Sequence, residues 1–281
     1  MTANMRVSDP AQFVWWQSQK NSETGKFLQV IPTFPKFKMS NNEFRLALKY
    51  RGYVRVPGII DGMKCCCKRH PAIDIRGHHL ATACAVGGER FDTHNNLVGE
   101  LNNILRYCGK RTKVEERRVF GAVDPNNNLR PDITIMEPDR LGTSKLLLDV
   151  SVTSPLTGFT GRVVEAGNAA KVVVAAKNAK YQASCSAAGF SFKAIVSEST
   201  GFMHKNVTEL LLSLAKDASE LKHIKATVLY NYFVKRIGFC LQRGIANAIS
   251  KRLASVRSQC ACKDSDPSFN NDVITNFDVV Y

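Results

Sequence analysis

The sequence has no apolar run approaching the roughly 20 residues needed to cross a bilayer. Its opening residues, MTANMRVSDPAQ, include an acidic residue and lack the apolar stretch of a secretory signal. We therefore expect a protein of the nucleus or cytoplasm, neither secreted nor membrane-bound. Because such compartments keep thiols reduced, the nine cysteines are not expected to form a disulfide framework. Some should bind metal and the rest should be buried.

Acidic residues are scarce relative to basic ones, with 24 Asp and Glu against 39 Lys and Arg. The formal net charge of +15 favours a polyanionic partner such as nucleic acid, with a merely solvated basic surface as the alternative. At 281 residues, the chain is long enough for one domain of about 150 residues with flanking pieces.

Composition divides the chain into five segments. Their expected characters are an extended arm with a short helix (1–58), a metal-organised module (59–93), an α/β core (94–222), a C-terminal packing helix (223–257) and a tail (258–281). The packing helix carries one apolar stripe, formed by Phe233, Ile237, Leu241, Ile245, Ile249 and Leu253. Basic residues occupy its other faces.

The core segment alternates helical and strand-like patterns. The expected order is a helix (94–108), three strands (113–120, 132–136 and 145–152), a long Ala-rich helix (162–188), a fourth strand (190–197) and a helix after Gly201. A turn with Pro, Asp and Gly (137–142) separates the second and third strands. This order predicts an α/β fold with one sheet flanked by helices.

Two aspartates stand out in the strand region. Asp132 follows Arg130-Pro131, and Asp149 interrupts the apolar run Leu146 to Val152. A carboxylate within such a run is costly unless it is paired or bound to metal. If the second and third strands form a hairpin, both carboxylates reach one rim of the sheet. Paired carboxylates are ligands that hard ions such as Mg²⁺ select for phosphodiester hydrolysis.

The segments at 130–132 and 148–155, with Lys177 to Tyr181 in the Ala-rich helix, resemble the PD-(D/E)xK restriction-like endonuclease superfamily. More narrowly, residues 25–256 resemble the C-terminal region of non-LTR retrotransposon polyproteins. The resemblance implies a restriction-endonuclease-like core, with a mixed sheet flanked by helices. A zinc knuckle would precede this core and a C-terminal helix would follow it.

The resemblance also implies roles for individual residues. Asp132 and Asp149 would bind Mg²⁺ or Mn²⁺, with the Val150 carbonyl as a further ligand. Ser151 occupies the position of the usual lysine, so the role passes to the following helix, to Lys177 or, as the runner-up, Lys180. Tyr181 would contact the same phosphate, and Glu116 would either support the metal site or flank a strand. For each lysine, a solvated helix face is the alternative.

In the relatives a Cys-Cys-His-Cys zinc motif precedes the nuclease, and Cys65, Cys67, His79 and Cys84 stand in that order. Three consecutive cysteines leave Cys66 as an alternative first ligand. Adjacent histidines leave His78 as an alternative third ligand, although the gap from His79 to Cys84 favours His79. His94 is a further substitute.

The function implied is a DNA endonuclease that nicks its substrate, uses Mg²⁺ or Mn²⁺ and Zn²⁺, and has no reverse transcriptase domain. DNA would be its partner, with element RNA as a second. The alternative is a catalytically inactive nucleic-acid-binding relic of the same fold, which the lysine missing at Ser151 favours. A weaker alternative is a structural zinc protein unrelated to DNA.

Overall fold

The structure is a computed structural model that describes residues 9–67, 72–84, 86–123, 129–136, 145–162 and 165–264. Six α-helices are found in these ranges: α1 (Pro10–Gln17), α2 (Asn41–Arg51), α3 (Glu89–Tyr107), α4 (Asn168–Ala188), α5 (Lys205–Lys222) and α6 (Ala226–Asp264). The strands there are β1 (Arg111–Val114), β2 (Ile133–Met136), β3 (Lys145–Thr153) and β4 (Ser191–Glu198). Of the helices in these ranges, none has both the length and the apolar character needed to cross a membrane.

The four strands form one mixed sheet in the order β1-β2-β3-β4. The pairs β1–β2 and β2–β3 are antiparallel, whereas β3–β4 is parallel, with Asp149 opposite Ala194. The parallel pair requires a crossover, which α4 supplies. The predicted α/β class, with a mixed sheet flanked by helices, is confirmed.

Helices cover both faces of the sheet because successive strand side chains point to opposite sides. On one face, Leu148 and Val150 join the main core, which includes buried residues of α2, α3, α5 and α6. On the other face, Leu147 packs with Tyr181 and Cys185 of α4. Asp149 has the parity of Leu147 and therefore faces α4.

Helix α6 extends further than the sequence pattern predicts, to Asp264 rather than about residue 256. Its apolar stripe is buried throughout, as expected, and it packs against α2, α3 and α5. Residues 258–264 of the predicted tail therefore continue the helix, and 265–281 lie outside the described residues.

The N-terminal segment differs from the extended arm that the sequence predicts, because residues 10–17 form α1. The Asp9 carboxylate caps this helix by accepting hydrogen bonds from the Ala11 and Gln12 amides, and Pro10 suits the first turn. Trp15 is buried with its ring edge-on to Tyr50. Contacts with residues distant in sequence thus stabilise a helix too short to stand alone.

The first strand is shorter than the predicted 113–120 and ends at Val114. Glu115 and Arg118 have positive φ values of 50° and 57°, which turn the chain away from the sheet. Helix α3 begins at Glu89, earlier than expected, and α4 begins at Asn168, later than expected. The turn predicted at 137–142 lies outside the described residues.

Candidate active site and metal centre

Asp149 lies in β3 with its side chain only 6% exposed. The Lys177 ammonium, on α4, donates a hydrogen bond of 2.7 Å to Asp149 Oδ1. The helix that crosses over from β3 to β4 thus supplies the cation for the buried carboxylate. Burying these two charges costs desolvation free energy, so this ion pair indicates a functional site more strongly than an ion pair on the surface does.

Asp132 lies beside Asp149 at the start of β2. Its backbone N–H donates to the Leu148 carbonyl at 3.0 Å. Its Oδ2 accepts a hydrogen bond of 2.6 Å from the Val150 backbone N–H and one of 3.1 Å from His94 Nε2. The hydrogen bond to Asp132 raises the pKa of His94. The imidazole is therefore protonated more readily than a free histidine.

Tyr181, one turn after Lys177 on α4, is buried, with 1% of its surface exposed. Its hydroxyl donates a 3.0 Å hydrogen bond to the Arg130 carbonyl and so fixes the backbone two residues before Asp132. Burial and the nearby Asp149 charge raise the pKa of Tyr181, which keeps the hydroxyl protonated. The Lys180 ammonium lies 5.1 Å from the Tyr181 ring centroid.

These side chains line one open cleft of about 430 Å³, which we call the acid cleft. Six residues to which the resemblance assigns a role in the nuclease line it: Asp132, Asp149, Val150, Lys177, Lys180 and Tyr181. Ser151 lines it as well. Arg90, Phe91, His94 and Arg130 also line it. Carboxylates, an ammonium and exposed cations therefore converge on a space that a ligand can enter.

Glu116 does not line this cleft. Its carboxylate contacts Lys113 at 2.8 Å and Lys145 at 3.6 Å. Burial alone would raise the pKa of Glu116, but the hydrogen bond from Lys113 and the Lys145 charge lower it. These contacts match the strand-flanking alternative that the sequence leaves open.

Cys65, Cys67, His79 and Cys84 come together in a second site, which we call the Cys/His cluster. One ligand atom from each lies within 4.8 Å of all the others. The Cys65 and Cys84 sulfurs are 3.6 Å apart, as are Cys67 Sγ and His79 Nε2. Tetrahedral zinc, with ligands at about 2.0–2.3 Å, has edges of roughly 3.5–3.8 Å. The cluster could therefore hold a metal ion, and its ligand atoms and spacings are compatible with zinc.

Two local structures position the last two ligands. The Asp74 carboxylate accepts hydrogen bonds from the backbone N–H groups of Arg76, His78 and His79, closing a turn in which Gly77 has a φ of 78°. A single π-helical turn, His79–Ala83, follows, and the Cys84 N–H donates to the His79 carbonyl at 2.8 Å. This bond closes the four-residue gap between His79 and Cys84.

The two alternative ligands, Cys66 and His78, lie outside the Cys/His cluster and have other contacts. Cys65 and Cys67 are two residues apart and face the cluster, whereas the Cys66 sulfur accepts a hydrogen bond of 3.2 Å from Arg252. His78 instead packs against Trp15, with ring centroids 4.3 Å apart. Burial raises the pKa of the Cys65 thiol to about 12. A bound cation would act in the opposite direction by stabilising the thiolate.

The cluster and the acid cleft are neighbours. A second hollow of about 400 Å³, lined by His78, His79 and Ser154, shares Thr82 and Val152 with the acid cleft. The surface depression thus continues from the aspartates to the cluster. Hydroxyl groups of Thr82, Ser154 and Thr157 line this continuation.

His94 is the site residue whose role the sequence did not indicate. Its residue type suggested a substitute zinc ligand, whereas in the structure His94 forms a hydrogen bond with Asp132. The available signal was its position on α3, one helical turn before the buried Leu97 and Val98. That position predicts orientation toward the sheet but not the aspartate it meets.

A scan against models of known protein families gave no match, and a search of curated proteins gave none either.

Proposed function

We propose that this protein is a divalent-metal-dependent DNA endonuclease that nicks its substrate. In this proposal the mixed sheet is a restriction-endonuclease-like core, similar to that in the C-terminal region of non-LTR retrotransposon polyproteins, and the protein works on DNA in the nucleus or cytoplasm. The observation that carries it is the 2.7 Å contact between Lys177 and buried Asp149, beside Asp132 in an open cleft.

The donor set fits a hard ion. Asp132 and Asp149 supply carboxylate oxygens and Val150 a backbone carbonyl, the ligand types that Mg²⁺ and Mn²⁺ prefer. Oδ1 of Asp132 accepts no hydrogen bond from the described residues and remains available as a ligand. When bound, such an ion polarises the phosphate and makes hydroxide accessible at neutral pH.

The chain's own groups have separate tasks. The Val150 N–H and His94 orient the Asp132 carboxylate, and the Tyr181 hydroxyl fixes the Arg130 carbonyl next to it. Lys177 orients the attacking water and stabilises charge that develops on the scissile phosphate. Exposed Arg90 and Lys180 at the rim attract the DNA backbone.

Zinc in the Cys/His cluster has a structural task in this proposal. Cys65, Cys67, His79 and Cys84 would supply four protein ligands to the ion, the number found in structural zinc sites. It fixes the wall that continues the cleft, where Thr82 and Ser154 offer hydroxyls to phosphate oxygens.

Incubation with supercoiled plasmid tests the function. We expect Mg²⁺ or Mn²⁺ to support conversion to open circles. Asp132→Asn and Asp149→Asn should each slow nicking at least about a hundredfold, because each removes a charged ligand. Asp217→Asn is the matched control, since Asp217 pairs with Lys110 and does not line the cleft. Circular dichroism checks that each variant is folded.

Nicking that survives both cleft substitutions would overturn the assignment of the site. A parent protein that binds DNA in a salt-dependent way but never nicks it would favour the inactive binding relic. Absence of any salt-dependent binding would favour a structural zinc protein.

A further inference from the structure

A groove on another side of α3 is not used by the proposed nuclease. It runs between residues 31–37 and helices α3 and α6, and we call it the arm groove. Two hollows of about 230 and 270 Å³ form it and share Phe37 and Arg236 as walls. On α3, His94 lines the acid cleft and the next residue, Asn95, lines the arm groove.

Residues 31–37, which form the arm side of the groove, are held in place although most of their side chains are exposed. Phe37 is buried and contacts Phe239 edge-on, with ring centroids 6.0 Å apart. The Arg243 guanidinium donates a 2.8 Å hydrogen bond to the Lys36 carbonyl. Pro32 and Pro35 restrict the backbone that leads into these anchors. Side chains on this segment are therefore presented with little loss of conformational entropy on binding.

Two exposed aromatic rings from different elements line one hollow of the groove. Phe34 on the arm is 61% exposed and Tyr232 on α6 is 41% exposed, and both line the same hollow. Exposed rings on a fixed backbone are suited to stack on planar groups such as nucleic acid bases.

The charge of the groove identifies the kind of partner. Lys36, Lys235 and Arg243 line it, and in the described part of the chain none of them pairs with an acidic side chain. The one acidic residue of the groove, Glu100, is neutralised by Arg236. The groove thus presents three uncompensated positive charges, which favour a polyanion over an apolar peptide.

The polar lining suits exposed bases. Asn95, Asn96 and Asn103 are exposed along the α3 wall, and side-chain amides can donate and accept hydrogen bonds at base edges. A duplex hides its base faces in the stack, so rings and amides together favour a single strand. We infer that the arm groove binds single-stranded nucleic acid, with bases on Phe34 and Tyr232 and phosphates near Lys36, Lys235 and Arg243.

Fluorescence anisotropy with the full chain tests this inference, using labelled dT20, rU20 and a 20-base-pair duplex. The variant Phe34→Ala/Tyr232→Ala should bind dT20 or rU20 at least about fivefold more weakly, since stacking contributes roughly 1–3 kcal/mol per base. Its duplex affinity should stay within about twofold. Phe44→Ala is the matched control, because Phe44 is 42% exposed on α2, outside the groove.

A second pair of variants tests the phosphate contacts. Lys36→Gln/Lys235→Gln should reduce the slope of log affinity against log salt by about 1.4, which corresponds to two phosphate contacts with a single strand. Lys216→Gln, an exposed lysine of α5, should leave the slope unchanged. The relative affinities for dT20 and rU20 identify which sugar the groove accepts.

Equal binding of single strands by the parent and the aromatic variant would overturn the inference, as would equal weakening of single strand and duplex. Plasmid nicking by the aromatic variant separates the two proposals. If this variant still nicks plasmid but no longer binds single strands, the groove proposal is supported and the acid cleft is unaffected. A protein that never nicks but shows the predicted loss of dT20 or rU20 binding supports the groove alone.

Discussion

The Cys/His cluster and the acid cleft are adjacent, yet they are built in opposite ways. In the cluster, three buried cysteines and one half-buried histidine direct their ligand atoms toward one another. In the acid cleft, the two aspartates contact a lysine, a histidine and a backbone amide, and they border open space. A set of ligands that is complete by itself favours a structural ion, whereas an incomplete set beside open space leaves room for substrate.

The largest expected effect distinguishes the two sites by metal content. Cys84→Ser should lose one zinc ion per chain and several kcal/mol of unfolding free energy, because a structural zinc contributes directly to folding. Elemental analysis after gel filtration and thermal melting measure the two losses. Omitting Mg²⁺ from the parent should stop nicking without a comparable change in melting temperature.

Cys66→Ser is the control for this experiment. Cys66 accepts a hydrogen bond from Arg252 and does not belong to the group of convergent ligand atoms, so the variant should keep its zinc. We expect a small loss of stability, about 1 kcal/mol, because the serine hydroxyl can still accept a hydrogen bond from Arg252. Zinc retained by Cys84→Ser, or lost from Cys66→Ser, would contradict the ligand set.

A smaller effect concerns the cation of the acid cleft. Lys177→Met should reduce nicking about 10²–10³-fold, the usual effect of removing one group that stabilises transition-state charge. Lys171→Met is matched to it, since Lys171 lies on the same helix, is 56% exposed and pairs with Glu165. Rates of plasmid nicking should differ between the two variants by at least about a hundredfold.

Removing Lys177 also leaves Asp149 buried without its partner, so the variant's stability must be measured separately. Lys177→Arg keeps a cation near Asp149 and should preserve the melting temperature, but it still nicks more slowly because guanidinium cannot take the compact position of the ammonium. Full nicking by a folded Lys177→Met protein would remove Lys177 from the mechanism.

The smallest expected effect concerns the pH dependence of stability and comes from a third carboxylate, that of Glu198. Unlike Asp149, which is paired with Lys177, this buried carboxylate has no lysine among its hydrogen-bond partners in the described part of the chain. Glu198 on β4 is buried, and its Oε1 accepts a hydrogen bond of 3.2 Å from the Ala170 N–H. Among the described residues its Oε2 has no hydrogen-bond partner. Burial raises the pKa of Glu198 from its ordinary value of 4.5 to about 7.

Because this pKa is higher in the folded chain, the folded state binds more protons than the unfolded state between pH 4.5 and 7. The stability that Glu198 contributes is full below this window and is lost as pH rises through it, by about 3 kcal/mol at most. Urea unfolding at pH 5 and pH 8 should show a smaller decrease for Glu198→Gln than for the parent. Equal decreases would show that Glu198 is not protonated in the fold.

Local patterns predict much of the fold. The apolar periodicity of α6 and the interrupted apolar run of β3 are properties of neighbouring residues, so both elements could be recognised in the sequence. The end of β1 could not, because Glu115 and Arg118 adopt positive φ without being glycines. Helix α1 was also missed, since it depends on Trp15 reaching Tyr50, 35 residues away.

The candidate sites divide in the same way. Asp149 could be identified because a charge interrupts an apolar strand, whereas Lys177 followed only from the resemblance, since a lysine on a helix is by itself explained by a solvated face. The structure brings both to one cleft with Asp132. The choice between Cys65 and Cys66 needed the position of Arg252 on α6. The His94 contact joins residues 38 apart, and residue type alone gave no reason to prefer it over a zinc ligand.

Helix α6 has a consequence for how the chain is made. It is 39 residues long, and α2, α3, α5 and the segment Lys26–Gln29 all pack on it. During synthesis these elements emerge from the ribosome before α6, the helix against which their apolar faces pack. We therefore expect the residues before α6 to remain incompletely packed during synthesis, so that ribosome-bound chains stopped before residue 226 are cleaved readily by protease at sites protected in the full chain.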